Sequence, residues 1–330
     1  VVTSFKQGHN LESFPVSATK FSADILQRCK VSGIRSLSAM IPNLFVTDYG
    51  CKLSSALYIR GIGSSASPAV GLYVDGIPYL DRSLTDFNYF DVASIEVLRG
   101  PQGSLYGRNS MGGVVNVLTK SPFMNPGTDI FLGGGTYGLF NGTLSHYAVL
   151  SDKLGLSLAG NYKHSDGYFT NKYSGKKADK SDEASGRAKL TWYLNDRLNM
   201  HFSTSYEYTR QGGFPYGVVD AQGKISDVDY NNPSSYQRSV YTSGYGLSYK
   251  TDAIWMTSQL SYQQYNDKIR MDQDFTPQDA YYVVDNQKEH MWSEEFNIKN
   301  VKDAKYNWLF GAFGSAYGLR RDLNVDYLQM

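Results

Sequence analysis

The side chains best suited to chemistry in this sequence are its histidines and carboxylates, and their spacing decides whether they could act together. The five histidines lie far apart, with no HExxH motif and no paired spacing typical of metal ligands: His9, His146, His164, His201 and His290. The 31 Asp and Glu residues show no distinctive pair, since catalytic carboxylates are recognised by geometry rather than by sequence. The sequence therefore predicts no enzyme, no metal site and no bound cofactor.

Two cysteines, Cys29 and Cys51, are the remaining candidates for covalent chemistry. Their separation fits neither a CxxC redox motif nor a zinc site. In an oxidising compartment they could form a disulfide, which would stabilise the fold by about 3 kcal/mol in the chain-entropy model. The alternative is that both are unpaired, buried small residues.

Glycine concentrates in residues 91–120, which read DVASIEVLRGPQGSLYGRNSMGGVVNVLTK. Two β-rich segments flank a connection that contains several glycines and one proline. Because glycine tolerates positive φ and proline fixes φ, we expect this connection to be compact and well specified. Two further motifs precede it, LYIRGIG at residues 57–63 and VGLYVDGIP at residues 70–78.

In this order the three motifs resemble the plug domain of TonB-dependent outer-membrane receptors. Three ordered motifs within about 65 residues are much more specific than a lone glycine-rich loop. The resemblance covers residues 1–125 directly and the rest of the chain only through its strand pattern. It implies a plug domain at residues 1–122 and the N-terminal part of a transmembrane β-barrel at residues 123–330.

The composition agrees with a mainly β protein. The 330 residues include 27 Tyr, 16 Phe, 4 Trp and 32 Gly, and the formal net charge of +1 gives no reason to expect a nucleic acid as partner. Aromatic enrichment is typical of strands and of the aromatic girdles of membrane barrels. The first residues, VVTSF, look like a strand and not a signal peptide, so we expect an exported protein to have been processed or to be represented without its leader.

Within residues 1–122 we expect an α+β arrangement. The predicted helices are residues 22–27, with Ser22 as N-cap, and residues 34–40. The predicted strands include residues 1–5 and four segments that together form a small mixed sheet: 58–60, 72–74, 95–98 and 114–118.

After residue 120 the pattern changes to long stretches in which apolar and polar residues alternate. Ala188, Leu190 and Trp192 fall on one face of such a stretch, and Arg187 and Lys189 on the other. A period of two indicates antiparallel strands with one apolar face. We predict about nine strands, centred near residues 131, 144, 159, 189, 204, 244, 260, 295 and 313.

The predicted connections alternate between short turns and long polar loops at residues 170–182, 212–237 and 275–288, which is typical of outer-membrane barrels. A plug of about 120 residues requires a wide barrel of about 22 strands. We therefore expect the chain to be part of a longer barrel.

The resemblance also implies a contact that holds the plug in place. Plug arginines of this family pair with glutamates of the barrel wall, and the candidates here are Arg60 and Arg99, with Glu295 on the wall. A guanidinium binds a carboxylate with two charge-assisted hydrogen bonds, which orient as well as attract. The alternative is that both arginines bind carbonyl groups within the plug.

Substrate contacts are expected from the plug apices and from long outer loops, because loops on a rigid scaffold usually carry binding residues. The segment at residues 79–83 could equally be a structural turn. The candidate residues are Ser64, Ser65, Ser67, Tyr79, Asp81, Arg82, Phe214 and Tyr216.

The resemblance implies a transporter in the outer membrane of a Gram-negative bacterium, which imports a ferric siderophore, haem, cobalamin or a glycan. The implied partners are TonB with its inner-membrane energising complex, the nutrient, outer-membrane lipid and, for glycan or peptide import, a surface lipoprotein. The alternative is a surface-binding or signalling receptor with the same architecture. A third hypothesis is a soluble β-rich carbohydrate-binding protein.

Overall fold

The computed structural model describes residues 17–31, 33–47, 49–52, 55–64, 68–79, 90–301 and 306–327. The strand predicted at residues 1–5 lies outside these ranges. Among the described residues, no helix has the length and apolar character needed to cross a bilayer.

The first unit, here called the plug region, contains seven short strands and three short helices among its described residues. Its elements are β1 (Ser17–Ser22), α1 (Ala23–Arg28), α2 (Ile34–Ser38), β2 (Leu44–Val46), β3 (Leu57–Ile59), β4 (Val70–Val74), β5 (Ile77–Tyr79), β6 (Val92–Arg99), α3 (Gly103–Tyr106) and β7 (Gly113–Thr119). Ser22 precedes α1 as predicted, but its side chain makes no capping hydrogen bond. The core between the sheet and the helices is apolar. The most deeply buried side chains in it include Ile34, Leu37, Leu72 and Ile95.

Five of these strands form a mixed sheet in the order β1-β6-β7-β4-β5, in which only β4 and β7 run parallel. The prediction that residues 58–60 join this sheet was wrong, because β3 pairs with β2 in a separate two-stranded sheet. Arg60 and Gly61 both have positive φ directly after β3, and this turn ends the strand. Gly113 is required at the start of β7, since a Cβ there would lie 2.2 Å from the Leu98 carbonyl oxygen.

The second unit, here called the wall, is one antiparallel sheet in which each strand pairs with the next, and it confirms the nine predicted strands. They are β8 (Gly127–Gly134), β9 (Phe140–Ser151), β10 (Leu154–Ser165), β11 (Ser181–Tyr193), β12 (Leu198–Gln211), β13 (Ser235–Lys250), β14 (Ile254–Asp272), β15 (Tyr281–Asn300) and β16 (Leu309–Tyr327).

The connections define two ends of the wall. The turn end carries residues 152–153, 194–197, 251–253, 301 and 306–308, and the loop end carries residues 135–139, 166–180, 212–234 and 273–280. The loop predicted at residues 275–288 is shorter than expected, because β15 already begins at Tyr281. The asymmetry of the two ends otherwise follows the prediction.

The wall has an inner face, which covers the plug region, and an outer face. On β11, Arg187 is buried against the plug region, whereas Trp192 on the outer face is exposed. Glycines allow close approach: a Cβ on Gly244 of β13 would lie 2.3 Å from Cδ1 of Ile77, at the tip of the plug sheet. The predicted separation of the two faces of β11 is therefore present.

Candidate functional site

The first contact between plug region and wall forms around Asp75. Asp75 and Gly76 both have positive φ and connect β4 to β5 as a two-residue hairpin turn, which the Asp-Gly sequence favours. The Asp75 carboxylate accepts hydrogen bonds from the Thr119 backbone N–H at 2.9 Å and from Nζ of Lys189 on β11 at 2.8 Å. Burial acts to raise the pKa of Asp75, but the Lys189 charge and the hydrogen bonds from Lys189 and Thr119 outweigh it and lower the pKa to about 2.

A second ion pair joins Arg187, two residues away on the same face of β11, to Asp91, which immediately precedes β6. Both side chains are almost fully buried, with 5% and 4% of their surface exposed. The Arg187 guanidinium also lies 5.1 Å from the centre of the Phe90 ring. A buried pair of this kind contributes little net stability, but loss of one partner leaves an uncompensated charge.

The third ion pair lies nearer the loop end, where Nζ of Lys52 donates to Oε2 of Glu183 at 2.8 Å. The side chains are 10% and 5% exposed. The backbone N–H of Lys52 donates to Oε1 of Gln211 on β12 at 3.1 Å. Together, three residues of β11 at alternate positions of its inner face bind three separate segments of the plug region.

Above the Lys52–Glu183 pair, a cavity of about 920 Å³ opens between the plug region and the loop end of the wall. This volume is within the range of small-molecule binding sites. Its lining combines aromatic rings with charged groups of both signs. The main side chains are Arg35, Tyr49, Lys52, Lys163, Tyr168, Phe169, Asp179, Glu183 and Tyr216.

The loop at residues 212–234 forms one side of this cavity. The Tyr216 hydroxyl donates to the Tyr49 backbone carbonyl at 2.5 Å, which ties the loop to the plug region. Phe214 is buried in an apolar cluster with Cys51, Tyr236 and Ile269. Of the two candidates in this loop, Tyr216 therefore lines the cavity, whereas Phe214 packs beneath it.

The other substrate candidates separate in the structure. Tyr79 is buried between the plug region and the wall, beside Ser205 and Thr242, and is not accessible to a surface ligand. Burial first, and then the Glu207 charge, raise the pKa of Tyr79 to about 12 against the opposing effect of Arg187. Ser64 is half-buried away from the cavity lining. The remaining candidates, Ser65, Ser67, Asp81 and Arg82, lie outside the described residues.

The three residues predicted to hold the plug in place lie in two different parts of the structure. Nη1 of Arg99 donates to the Pro42 carbonyl at 3.3 Å, and the Arg60 guanidinium lies beside Gly100, so both have neighbours within the plug region. Glu295 accepts a hydrogen bond from Asn297 at 2.5 Å. Its charge acts with burial to raise the pKa of Tyr73 in the plug region, so Glu295 is near the plug. The pairing of Glu295 with either arginine stays a prediction.

The two cysteines are separate thiols, so of the two alternatives left open by the sequence the disulfide is not formed. Cys29 is exposed at the end of α1, while Cys51 is buried under the 212–234 loop. The alternative of two buried residues was thus correct for Cys51 only. Within the described ranges, no group of three or more His, Cys, Asp or Glu residues could hold a metal ion.

The alternation along β11 predicted that Arg187 and Lys189 face inward, but no sequence pattern predicted their partners Asp91 and Asp75 or the Lys52–Glu183 pair. The only local signal for Asp75 was the Asp-Gly turn within VGLYVDGIP. The partners are 96 to 131 residues apart in the chain, so no local pattern connects them.

Comparison with known proteins places these features in a family context. The family model described as TonB-dependent Receptor Plug Domain matches residues 10–114. The pesticin receptor of Yersinia pestis is 32% identical over 249 residues, which is 72% of this chain and 36% of that receptor. The vitamin B12 transporter BtuB of Vibrio vulnificus is 27% identical over 250 residues, 70% of this chain and 39% of the transporter.

Solved structures show the same architecture. The crystal structure of the ferric yersiniabactin uptake receptor FyuA from Yersinia pestis matches 94% of this chain and 50% of its own, with a TM-score of 0.84 and 26% sequence identity. The ferripyoverdine receptor of Pseudomonas aeruginosa matches 99% of this chain with a TM-score of 0.78, and at 17% identity it supports the fold alone. The chain spans about a third of the curated relatives and about half of these structures.

Proposed function

Because the chain belongs to the TonB-dependent receptor family, whose members lie in the outer membrane of Gram-negative bacteria, we propose that the protein binds a bulky nutrient at the cell surface and imports it into the periplasm. The loop end then faces the cell exterior and the turn end the periplasm. The domain boundary at residue 122 is part of this proposal.

The observation that carries the proposal is the position of Lys52. This plug residue lies at the floor of the 920 Å³ cavity and is bound to Glu183 of the wall. A ligand in the cavity therefore contacts the movable and the fixed parts of the receptor together. Ligand binding can then change the strength of the contact that holds the plug.

For the ligand we propose an iron chelate that carries aromatic rings and negative charge. Four aromatic residues line the cavity with three cationic side chains. Aromatic faces bind planar rings, and Arg and Lys bind carboxylates or phenolates by charge-assisted hydrogen bonds. The relatives named for pesticin, ferric yersiniabactin and vitamin B12 are consistent with large ligands.

For the energy source we propose TonB with its inner-membrane complex, which pulls on the plug. The contacts that such a force must break include buried ion pairs as well as apolar contacts. Ion pairs with residues of β11 hold the plug region at Lys52, Asp75 and Asp91. In a detached plug these charged groups would be hydrated. Outer-membrane lipid is a proposed partner of the outer face, and a surface lipoprotein is a proposed partner only for glycan or peptide import.

The native thiols provide a direct test. Cys51 is 2% exposed between plug and loop, whereas Cys29 is exposed. In the full-length receptor carrying Cys29→Ser, we expect a membrane-impermeant maleimide to label Cys51 only when ligand and energised TonB are both present. Cys29 in a Cys51→Ser variant is the matched control, and its labelling should not change with ligand or TonB.

Two outcomes would contradict the proposal. Labelling of Cys51 that does not depend on TonB would exclude an energised movement of the plug. Ligand binding without any uptake, measured with a radioactive iron chelate, would favour the alternative of a surface-binding or signalling receptor.

A further inference from the structure

The loop at residues 166–180, which connects β10 to β11, is an ordered hairpin beside the 920 Å³ cavity. Thr170 and Lys177 face each other across it as an antiparallel β-bridge. At its tip, Nδ2 of Asn171 donates to the backbone carbonyl of Tyr230 in the neighbouring loop at 2.8 Å. The hairpin is therefore fixed at its far end and continues the wall beyond its strands.

Two successive aromatic residues of this hairpin, Tyr168 and Phe169, line the cavity. Their side chains are exposed by 60% and 51%, and the Tyr168 ring centre lies 4.3 Å from that of Tyr137 on the connection between β8 and β9. Neighbouring exposed rings mark a surface that binds apolar groups. Successive side chains of a regular strand point to opposite faces, so both rings can line one cavity only where the backbone departs from a strand.

Asp179, on the opposite arm of the hairpin, holds the backbone in this conformation. Its Oδ2 accepts a hydrogen bond from the Tyr168 backbone N–H, and its Oδ1 accepts one from the Phe169 N–H, both at 2.9 Å. Nζ of Lys177 donates to the Tyr168 carbonyl at 3.0 Å. Each oxygen of the carboxylate thus binds one of the two successive amides, which fixes the direction of both rings.

The residue before this pair, Gly167, makes room for the carboxylate. Its φ of +88° lies in the left-handed region, which favours glycine, and a Cβ at this position would lie 2.5 Å from Oδ1 of Asp179. Any larger residue would push the carboxylate away from the two amides. The arrangement therefore depends on Gly167 and Asp179 together.

We propose that Asp179 is a positioning residue that makes the cavity selective for ligands with aromatic rings, because it orients Tyr168 and Phe169 toward them. This inference rests on the proposed function, which takes the cavity as the ligand site. Ring contacts add affinity beyond the buried area only in offset-stacked or edge-to-face geometry. The cationic side chains of the cavity attract any anionic chelate, so the rings decide between an aromatic and an aliphatic one.

The test uses the purified full-length receptor and two anionic iron complexes as probes. Ferric tricatecholate carries aromatic rings, whereas ferric citrate carries none. We expect the wild type to bind the tricatecholate more tightly in titration calorimetry. Asp179→Ala should weaken tricatecholate binding about tenfold and change ferric citrate binding less than about twofold, because the two ring contacts lose their orientation.

Further variants separate positioning from a general loss of structure. Gly167→Ala should reproduce the selective loss, and Asp179→Asn, which retains one acceptor oxygen, should have an intermediate effect. Asp220→Ala is the matched control. Oδ1 of Asp220 accepts hydrogen bonds from the backbone N–H groups of Gln222 and Lys224 at 3.0 and 2.8 Å, in an exposed turn outside the cavity lining. Its removal should leave both affinities unchanged.

Amide hydrogen exchange tests the positioning without any ligand. In Asp179→Ala the amides of Tyr168 and Phe169 lose their acceptors and should exchange about fivefold faster or more, whereas Asp220→Ala should leave them unchanged. If the wild type binds neither chelate, the proposed iron ligand is contradicted, and the exchange rates alone decide whether Asp179 holds the two rings.

Three results would overturn the inference while leaving the proposed function intact. They are equal weakening of both chelates in Asp179→Ala, unchanged tricatecholate binding in both Asp179→Ala and Gly167→Ala, and wild-type binding of ferric citrate that is at least as tight as that of the tricatecholate.

Discussion

Lys52 of the plug region and Glu183 of the wall form an ion pair with an N to O distance of 2.8 Å at the floor of the loop-end cavity. Both side chains of the pair are almost fully buried. The pair joins plug region and wall, and it borders the cavity proposed for the ligand. Under the proposed function, this position would connect ligand binding to release of the plug.

The variants Lys52→Met and Glu183→Gln should each loosen the plug. Removing one partner of a buried pair typically costs about 3 to 5 kcal/mol, because the other charge is left without compensation. Passage of large antibiotics through the outer membrane measures the loosening. The double variant should leak little more than the single ones, because coupled partners are not additive. Lys153→Met, at an exposed turn, is the control, and full additivity would show that the two residues act independently.

Asp75 should make the plug contact sensitive to acid. Its pKa of about 2 lies below the ordinary value of 3.8, so its stabilising effect is complete above about pH 4 and is lost as the pH falls toward 2. A shift of this size corresponds to about 2 kcal/mol. Within this pH window the wild-type protein should unfold at a lower temperature than at neutral pH. Asp75→Asn should be less stable at neutral pH and should show a flatter dependence between pH 4 and pH 2; identical profiles would contradict the prediction.

The two faces of β11 should respond differently to arginine. Leu190→Arg places a cation on the outer face and should cost about 2 to 4 kcal/mol if that face contacts lipid. Lys189→Arg retains a cation beside Asp75 on the inner face and should cost little. Heat-modifiable migration of the folded barrel on gels compares the two variants. Equal effects would show that the outer face does not lie in the membrane.

Arg60 and Arg99 remain candidates for a second contact that involves Glu295. We expect Arg60→Ala and Arg99→Ala to increase antibiotic permeability while the plug stays folded. Adding Glu295→Ala to the arginine that contacts it should have little further effect, since the partners are coupled. Additivity in both double variants would exclude Glu295 from the contact. Unchanged permeability in all three single variants would show that this contact does not hold the plug.

The sequence by itself determined the nine wall strands, the helices α1 and α2 and their order, but not β5 or α3. Strict alternation around Leu190 and Trp192 specified the wall strands, because successive side chains of a strand point to opposite faces. It also oriented Arg187 and Lys189 inward, and the Asp75-Gly76 turn was readable from local backbone preferences.

Only the tertiary structure decided which groups meet between plug and wall. Lys52 and Glu183 are 131 residues apart, and Lys189 and Asp75 are 114 residues apart. It also buried Tyr79 and Cys51 and separated Cys29 from Cys51. Alternation fixes the face on which a side chain lies, but the partner depends on strand register and on how deep the plug lies within the wall. Both are set by the packing of the whole sheet around the plug, and no local run of residues encodes them.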